Sequence, residues 1–312
     1  MTTGPNNDAA TDFLPPPIDL GDSKLYALAN PYELDGRVAT HPRDTRGYAP
    51  MNVYLAVEDG AAMLFDAGFS VHQTQLIGQI ERCMSHDSVL TLCPIRMAEF
   101  GGICNVRPIA EHFNVDALYG LQERSIRWMD FRPEFRPSIT DAGGRGRLAA
   151  AEVRLARPGD MLRVGSDGRE IEVLPAPLRL LPVTWMYDAQ TRTLMTADTF
   201  TWVWQPDRDG PWIVTGESDP VSNEQMTHHM LANRFWWLPG ARTDSIRAEI
   251  AEIFDNHDIE VIAPGFGCVL AGRDVVARHY TLLDNVLRHA PSMAAVGVAA
   301  GRWPARQQPV RS

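Results

Sequence analysis

The stretch VLTLCPIRMAEFGGI, residues 89–103, decides how this chain is read. Its first five residues, Val89 to Cys93, make an apolar run of strand length. Pro94, which has no backbone N–H to give to a ladder, ends it. A short polar loop then leads to Gly101-Gly102. A buried strand that stops in a polar loop before paired glycines is where α/β folds place chemistry.

Upstream, NVYLAVEDGAAMLFDAGFS (52–70) holds two apolar runs, 52–57 and 61–65, separated by Glu58-Asp59-Gly60. Asp-Gly between such runs predicts a hairpin, because glycine accepts a positive φ without steric cost. The second run ends in Asp66-Ala67-Gly68, with Asp66 read as a turn residue. Leu76, Ile77 and Ile80 at helical spacing predict a helix over 71–84 that crosses back to strand 89–93. A second helix over 106–113 and a strand at 117–119, ended by Gly120, continue the alternation. Strand, helix, strand implies a sheet with helices outside it, an α/β fold class.

Further along, 161–164 and 170–174 predict a second hairpin, and 185–187 with 193–196 a third. Ile246, Ile250, Ile253 and Phe254 mark an amphipathic helix capped by Asp244 or Ser245. A closing strand over 259–263 follows, and Val276, Tyr280, Leu283 and Leu287 mark the last helix. Residues 1–20, rich in Pro, Asn, Thr and Asp, read as a flexible arm, and 291–312 as a flexible tail. One domain over 21–290 lies between them. The segment THPRDTRGYAP (40–50), with His41, reads as a connecting loop, with a lid as the alternative.

Together with WMYDAQTRTLMTADTF (185–200) and IEVIAPGFG (259–267), these stretches resemble the metallo-β-lactamase fold, most closely its flavodiiron and oxygen-binding diiron branch. The resemblance implies an αββα sandwich over about 48–288. That branch carries a His-x-Glu-x-Asp-His loop where this chain has 94–99. Laid on it, Pro94, Arg96, Ala98 and Glu99 stand in place of the ligands, and the later family histidines fall on Leu180 and Phe266. Only the bridging aspartate keeps its identity, as Asp198. Two cations need several carboxylate or imidazole donors converging on them, and proline, alanine, leucine and phenylalanine supply none.

Two readings of such a pocket follow from the resemblance. In the first, Arg96 and Arg179 neutralise Asp198 and Glu99 in place of metal, with no cofactor. The pocket then binds a small polar or anionic ligand through Arg96, Asn105, Arg179 and Phe266, or the chain serves as a non-catalytic partner. Glu99 and Asp198 are the candidate catalytic residues, with Glu99 as acid and base if burial raises its carboxyl. In the second, a relocated single iron or zinc sits on Asp198, Glu99 and Cys93, in a hydrolase or a diiron-like oxidoreductase. The chain shows no flavodoxin-like extension, so a complete flavodiiron protein is not expected. Of the adjacent His228 and His229, set about 100° apart on a helix, at most one faces the pocket.

Composition narrows the partners. The 312 residues carry a net charge of −10, which argues against binding nucleic acid or an anionic membrane. Four cysteines without a CxxC pair, and no signal-like or membrane-length apolar run, point to reduced thiols and a cytoplasmic setting. Trp202, Trp204, Trp212, Trp236 and Trp237 crowd one segment, as core or homodimer contact or as the wall of an aromatic pocket.

Overall fold

The computed structural model describes residues 14–121, 151–165, 168–216 and 219–294. Among the described residues, fourteen strands fall into two seven-stranded sheets. The first is built in chain order from β1 (Ile18–Gly21), β2 (Leu25–Glu33), β3 (Tyr48–Glu58), β4 (Ala61–Phe65), β5 (Val89–Cys93), β6 (Asn114–Gly120) and β7 (Glu152–Leu155). β8 (Met161–Val164), β9 (Arg169–Pro175), β10 (Thr184–Asp188), β11 (Thr193–Ala197), β12 (Ile213–Thr215), β13 (Val261–Pro264) and β14 (Val269–Ala271) make the second. Its spatial order is β12-β14-β13-β11-β10-β9-β8. The helices are α1 (Gln73–Cys83), α2 (Phe100–Ile103), α3 (Val106–His112), α4 (Asn223–His229), α5 (Asp244–Asn256) and α6 (Arg273–His289).

Side-chain alternation sets the layers. In β4, Met63 and Phe65 enter the core shared with the second sheet, whereas Ala62 and Leu64 face the layer holding Leu76 and Ile80 of α1 and Ile109 of α3. β2 and β3 divide in the same way, Ala27 and Tyr54 against Leu28 and Val53. A period of two can serve both layers only if the sheet is covered on each face. On the other side, Val276, Leu283 and Leu287 of α6 and Ile250 and Ile253 of α5 pack with the second sheet's residues. The αββα sandwich expected from the sequence is the architecture observed. Its strands at 52–57, 61–65 and 89–93, and 261–263 of the closing strand, lie within the central sheets.

Other expectations are corrected. The arm drawn through Leu20 includes β1, which pairs antiparallel with β2, and Pro15 O accepts a bond from buried Gln79 Nε2. Residues 1–13 and 295–312 lie outside the described residues. Thr243, not Asp244 or Ser245, is the N-cap of α5, and its hydroxyl is turned to the Leu287 carbonyl. β1, β2, β7, β12 and β14 carry no strong alternation signal and are short or edge pieces, apart from the nine-residue β2. The four cysteines are unpaired thiols, as expected.

Two connections place the site. β3 is stitched to the loop after β13: Asn52 N donates to Gly265 O at 3.0 Å, Asn52 Nδ2 to Pro264 O and Gly267 O, and Tyr54 Oη to Pro264 O. This fixes Gly265 and Phe266 over the ends of β4 and β5. After α4 the chain makes a π-helical turn, Met230–Arg234, closed by Phe235 N to Met230 O, which carries Arg234 to the same place.

Candidate functional site

β4 is followed at once by Asp66, whose φ of +68° turns its carboxylate back beneath the loop that follows β5. Asp66 Oδ1 accepts from Ile95 N at 2.9 Å and Arg96 N at 3.1 Å, and Oδ2 from Arg96 Nε at 2.7 Å. The expected turn residue is therefore also one half of a buried ion pair. Both side chains are buried, and the Arg96 guanidinium lies 4.4 Å from the Phe266 ring centroid. Burial works against the Arg96 charge, but Asp66, Glu99 and Asp198 outweigh it and hold the group above its ordinary value. Burial raises the Asp66 carboxyl, with Arg96 pulling the other way.

Gly265 makes room for this arrangement. A Cβ there would lie 2.5 Å from both Cζ and Nη1 of Arg96 and 2.9 Å from Ala197 O. No larger residue fits without displacing the guanidinium.

The second guanidinium belongs to Arg234. Its Nη2 stands 2.5 Å from Glu99 Oε1 and 2.8 Å from Asp198 Oδ1, and its Cζ is 5.4 Å from the Phe266 centroid. The Asp198 contact is an ion pair without hydrogen-bond alignment. Both Asp198 oxygens, Arg234 Nε and Arg96 Nη1 accordingly lack hydrogen-bond partners among the described residues. Burial and the neighbouring Asp198 push the Glu99 carboxyl up, against Arg234 and Arg96.

A pair of imidazoles closes the far side. Thr201 Oγ1 donates to Asp198 O at 3.3 Å, so it accepts from His229 Nε2 at 3.0 Å, which leaves His229 Nδ1 a bare lone pair. His41 stands against His229 with ring centroids 4.9 Å apart, and Trp204 flanks both. Burial, with Arg234 nearby, holds both histidines neutral and takes His41 down to about 3. Of the adjacent pair, His229 faces inward and His228 meets Asp44 at 3.0 Å on the surface, one inside as predicted.

The structure thus brings together Arg96, Glu99, Asp198 and Phe266 from the sequence-derived set. Arg179 is exposed and bonds to Ala176 O three residues back, so it does not reach the cluster. Asn105 is buried but spends its amide on Ala67 O and Phe69 O, holding the loop after β4. Cys93 faces the inter-sheet core, where burial pushes its thiol well up and disfavours the thiolate a metal needs. Arg234 is the member the sequence reading missed, while His41 and His229 were singled out there without a role in the site. Arg234 lies 135 residues from Glu99 and carries no motif of its own. The only sequence signal near it is the polar segment around His228 and His229.

No protein-family model matches the chain, and no curated protein matches it. Solved structures do. The flavodiiron protein from Giardia intestinalis superposes with a TM-score of 0.58 at 14% identity, over 85% of this chain and 58% of that one. Rubredoxin oxygen:oxidoreductase from Desulfovibrio gigas gives 0.62 at 14% identity, over 88% and 61%. A fragment of a putative diflavin flavoprotein from Nostoc gives 0.58 at 13%, over 85% and 92%. This chain has the metallo-β-lactamase-like core that those flavodiiron proteins contain, and it spans about three-fifths of the length of the first two.

The expectation of no cofactor, or at most one iron or zinc ion, is corrected by these neighbours, which are named as flavodiiron and diflavin proteins and bind iron and flavin. The residues at this site do not fit a pair of iron ions. Two guanidiniums occupy the space among Asp66, Glu99 and Asp198, and no group of three or more His, Cys, Asp or Glu among the described residues is arranged to hold a metal. Among those residues, too, no helix is long and apolar enough to cross a membrane.

Proposed function

We propose that this chain is a divergent protein of the metallo-β-lactamase fold in which an arginine–carboxylate cluster stands at the position of the two-metal site and binds a small polar or acidic ligand. The observation that carries this reading is Arg234 Nη2 lying between Glu99 Oε1 and Asp198 Oδ1, at 2.5 and 2.8 Å, with Arg234 Nε still unpartnered. A guanidinium with a donor to spare is suited to a planar anion or a carbonyl. Unpaired thiols fit a cytoplasmic setting.

A non-catalytic partner is the second reading, and one observation favours it. Phe100 and Trp236, next to Glu99 and two residues from Arg234 in sequence, are large apolar side chains 68% and 54% exposed.

Element analysis of untagged protein, together with calorimetric titration of small carboxylates and amides, tests the proposal. Saturable binding of a small solute, weakened at least tenfold by Arg234→Met, supports it. About two irons per chain, retained through that same substitution, would overturn it.

A further inference from the structure

We infer that the Glu99 carboxylate is a placeholder: it occupies a position on Arg234 that the carboxylate of a small ligand takes in its stead. This rests on the ligand-binding reading above and names the class of ligand.

Of the three carboxylates in the cluster, Asp66 and Asp198 are buried, and Asp66 is committed to Arg96 through two bonds and to Ile95 N through a third. Glu99 is the one solvent reaches, its side chain 14% exposed, and its contact with Arg234 is made through Oε1 alone. The cluster has therefore already shaped a carboxylate position at its outer edge. The tethered side chain fills it with one oxygen and leaves Arg234 Nε unpartnered.

A free carboxylate is not held by a backbone. It can turn side-on and engage Nε and Nη2 of Arg234 together, the paired geometry a guanidinium offers a carboxylate. The entering anion replaces one charge with one charge, and Asp198 stays in place to neutralise Arg234. The displaced Glu99 moves toward solvent that it already touches. Arg96, whose Nη1 is a second unpartnered cationic donor and whose guanidinium lies over the same Phe266 ring, adds to the attraction for an anion.

The same geometry selects within the class. A phosphate would bring up to two charges beside buried Asp198 and Asp66, where like charges repel through a medium of low polarisability. A neutral amide gains a hydrogen bond but does not replace the charge that Glu99 takes away. A monocarboxylate does both.

Calorimetric titration of the full chain with acetate tests this, with inorganic phosphate and acetamide as comparators, on the wild type, Glu99→Gln and Arg234→Lys. Acetate is expected to bind the wild type and to bind Glu99→Gln at least tenfold more tightly, because the competing anion is gone. Arg234→Lys is expected to lose at least tenfold, since an ammonium cannot make the side-on pair. Thermal melting establishes that each variant folds, and if Arg234→Lys does not, the Glu99→Gln comparison decides alone. Acetate affinity unchanged or weakened in Glu99→Gln, or binding of phosphate or acetamide in place of acetate, overturns the placeholder and leaves the ligand-binding reading standing. Failure of all three solutes to bind either the wild type or Glu99→Gln overturns both.

Discussion

Arg234 Nη2 and Asp198 Oδ1 lie 2.8 Å apart, joined across 36 residues of chain by the π-helical turn that ends at Arg234. The sequence placed Arg96 or Arg179 beside Asp198. Arg96 is instead drawn to Asp66 at 2.7 Å, and Arg179 stays on the surface. The cation that a buried Asp198 requires comes from a third arginine. A buried carboxylate without such a partner is costly.

Replacing Arg234 by methionine removes that cation and leaves Asp198 buried and unpaired. A loss of about 3–5 kcal/mol is expected from denaturant unfolding. The double variant Arg234→Met with Asp198→Asn should recover much of it, because the stranded charge is gone. No recovery would mean that Arg234 contributes through packing on Phe266 alone.

Gly265 and Arg96 should be energetically coupled. Gly265→Ala puts a Cβ 2.5 Å from the guanidinium, which Asp66 pins in place, and should destabilise by about 1–3 kcal/mol. In an Arg96→Met background much of that penalty should vanish. A double-mutant cycle with coupling near zero would show that the clash with Ala197 O, not with Arg96, excludes a side chain at 265.

Glu99 makes stability depend on pH in the direction opposite to an ordinary surface carboxylate. Its carboxyl is raised on folding, chiefly by burial and then by Asp198, so the folded state holds the proton more tightly than the unfolded chain. That contribution is present at low pH and is lost as pH rises through the window from its unfolded to its folded value. Glu99→Gln lacks this loss. It should be more stable than the wild type at pH 8, and the difference should shrink as pH falls toward about 4. Equal melting curves for the two proteins across that range would refute it.

His279 acts the other way. Its Nδ1 accepts from Trp202 Nε1 at 2.9 Å, so the ring is neutral, with Nε2 donating to Asp219 Oδ2 at 2.9 Å. Burial takes its pKa down to about 4, with Arg278 adding to the effect. A depressed histidine stabilises the fold above its unfolded pKa of about 6.5, and that stability is lost as pH falls toward 4, by about 1.4 kcal/mol per pH unit for each proton taken up. His279→Gln should flatten the acid limb of a stability–pH profile. An unchanged limb would assign the proton uptake to other buried groups such as His72, which burial also lowers to about 4.

Much of the fold could be read from local pattern. Asp59-Gly60 turns the chain between β3 and β4 with Gly60 at φ +70°, and the alternation of Leu64 and Phe65 assigns each to its layer, because both signals act over two to four residues. The sequence alone also determined that the loop after β5 offers Pro94, Arg96, Ala98 and Glu99 rather than a set of metal donors. Tertiary structure decided which cation meets which carboxylate. Nothing within a few residues of Arg234 marks it off from Arg179. One is delivered to Asp198 by a turn of π-helix and a ring at Phe266, and the other bonds its own loop. The side chains of His41 and His229, 188 positions apart in sequence, meet only because a loop before β3 and the end of α4 are brought together by the fold. Ion pairs and ring contacts of this kind carry no periodicity, since each depends on where two separate backbones are held relative to one another.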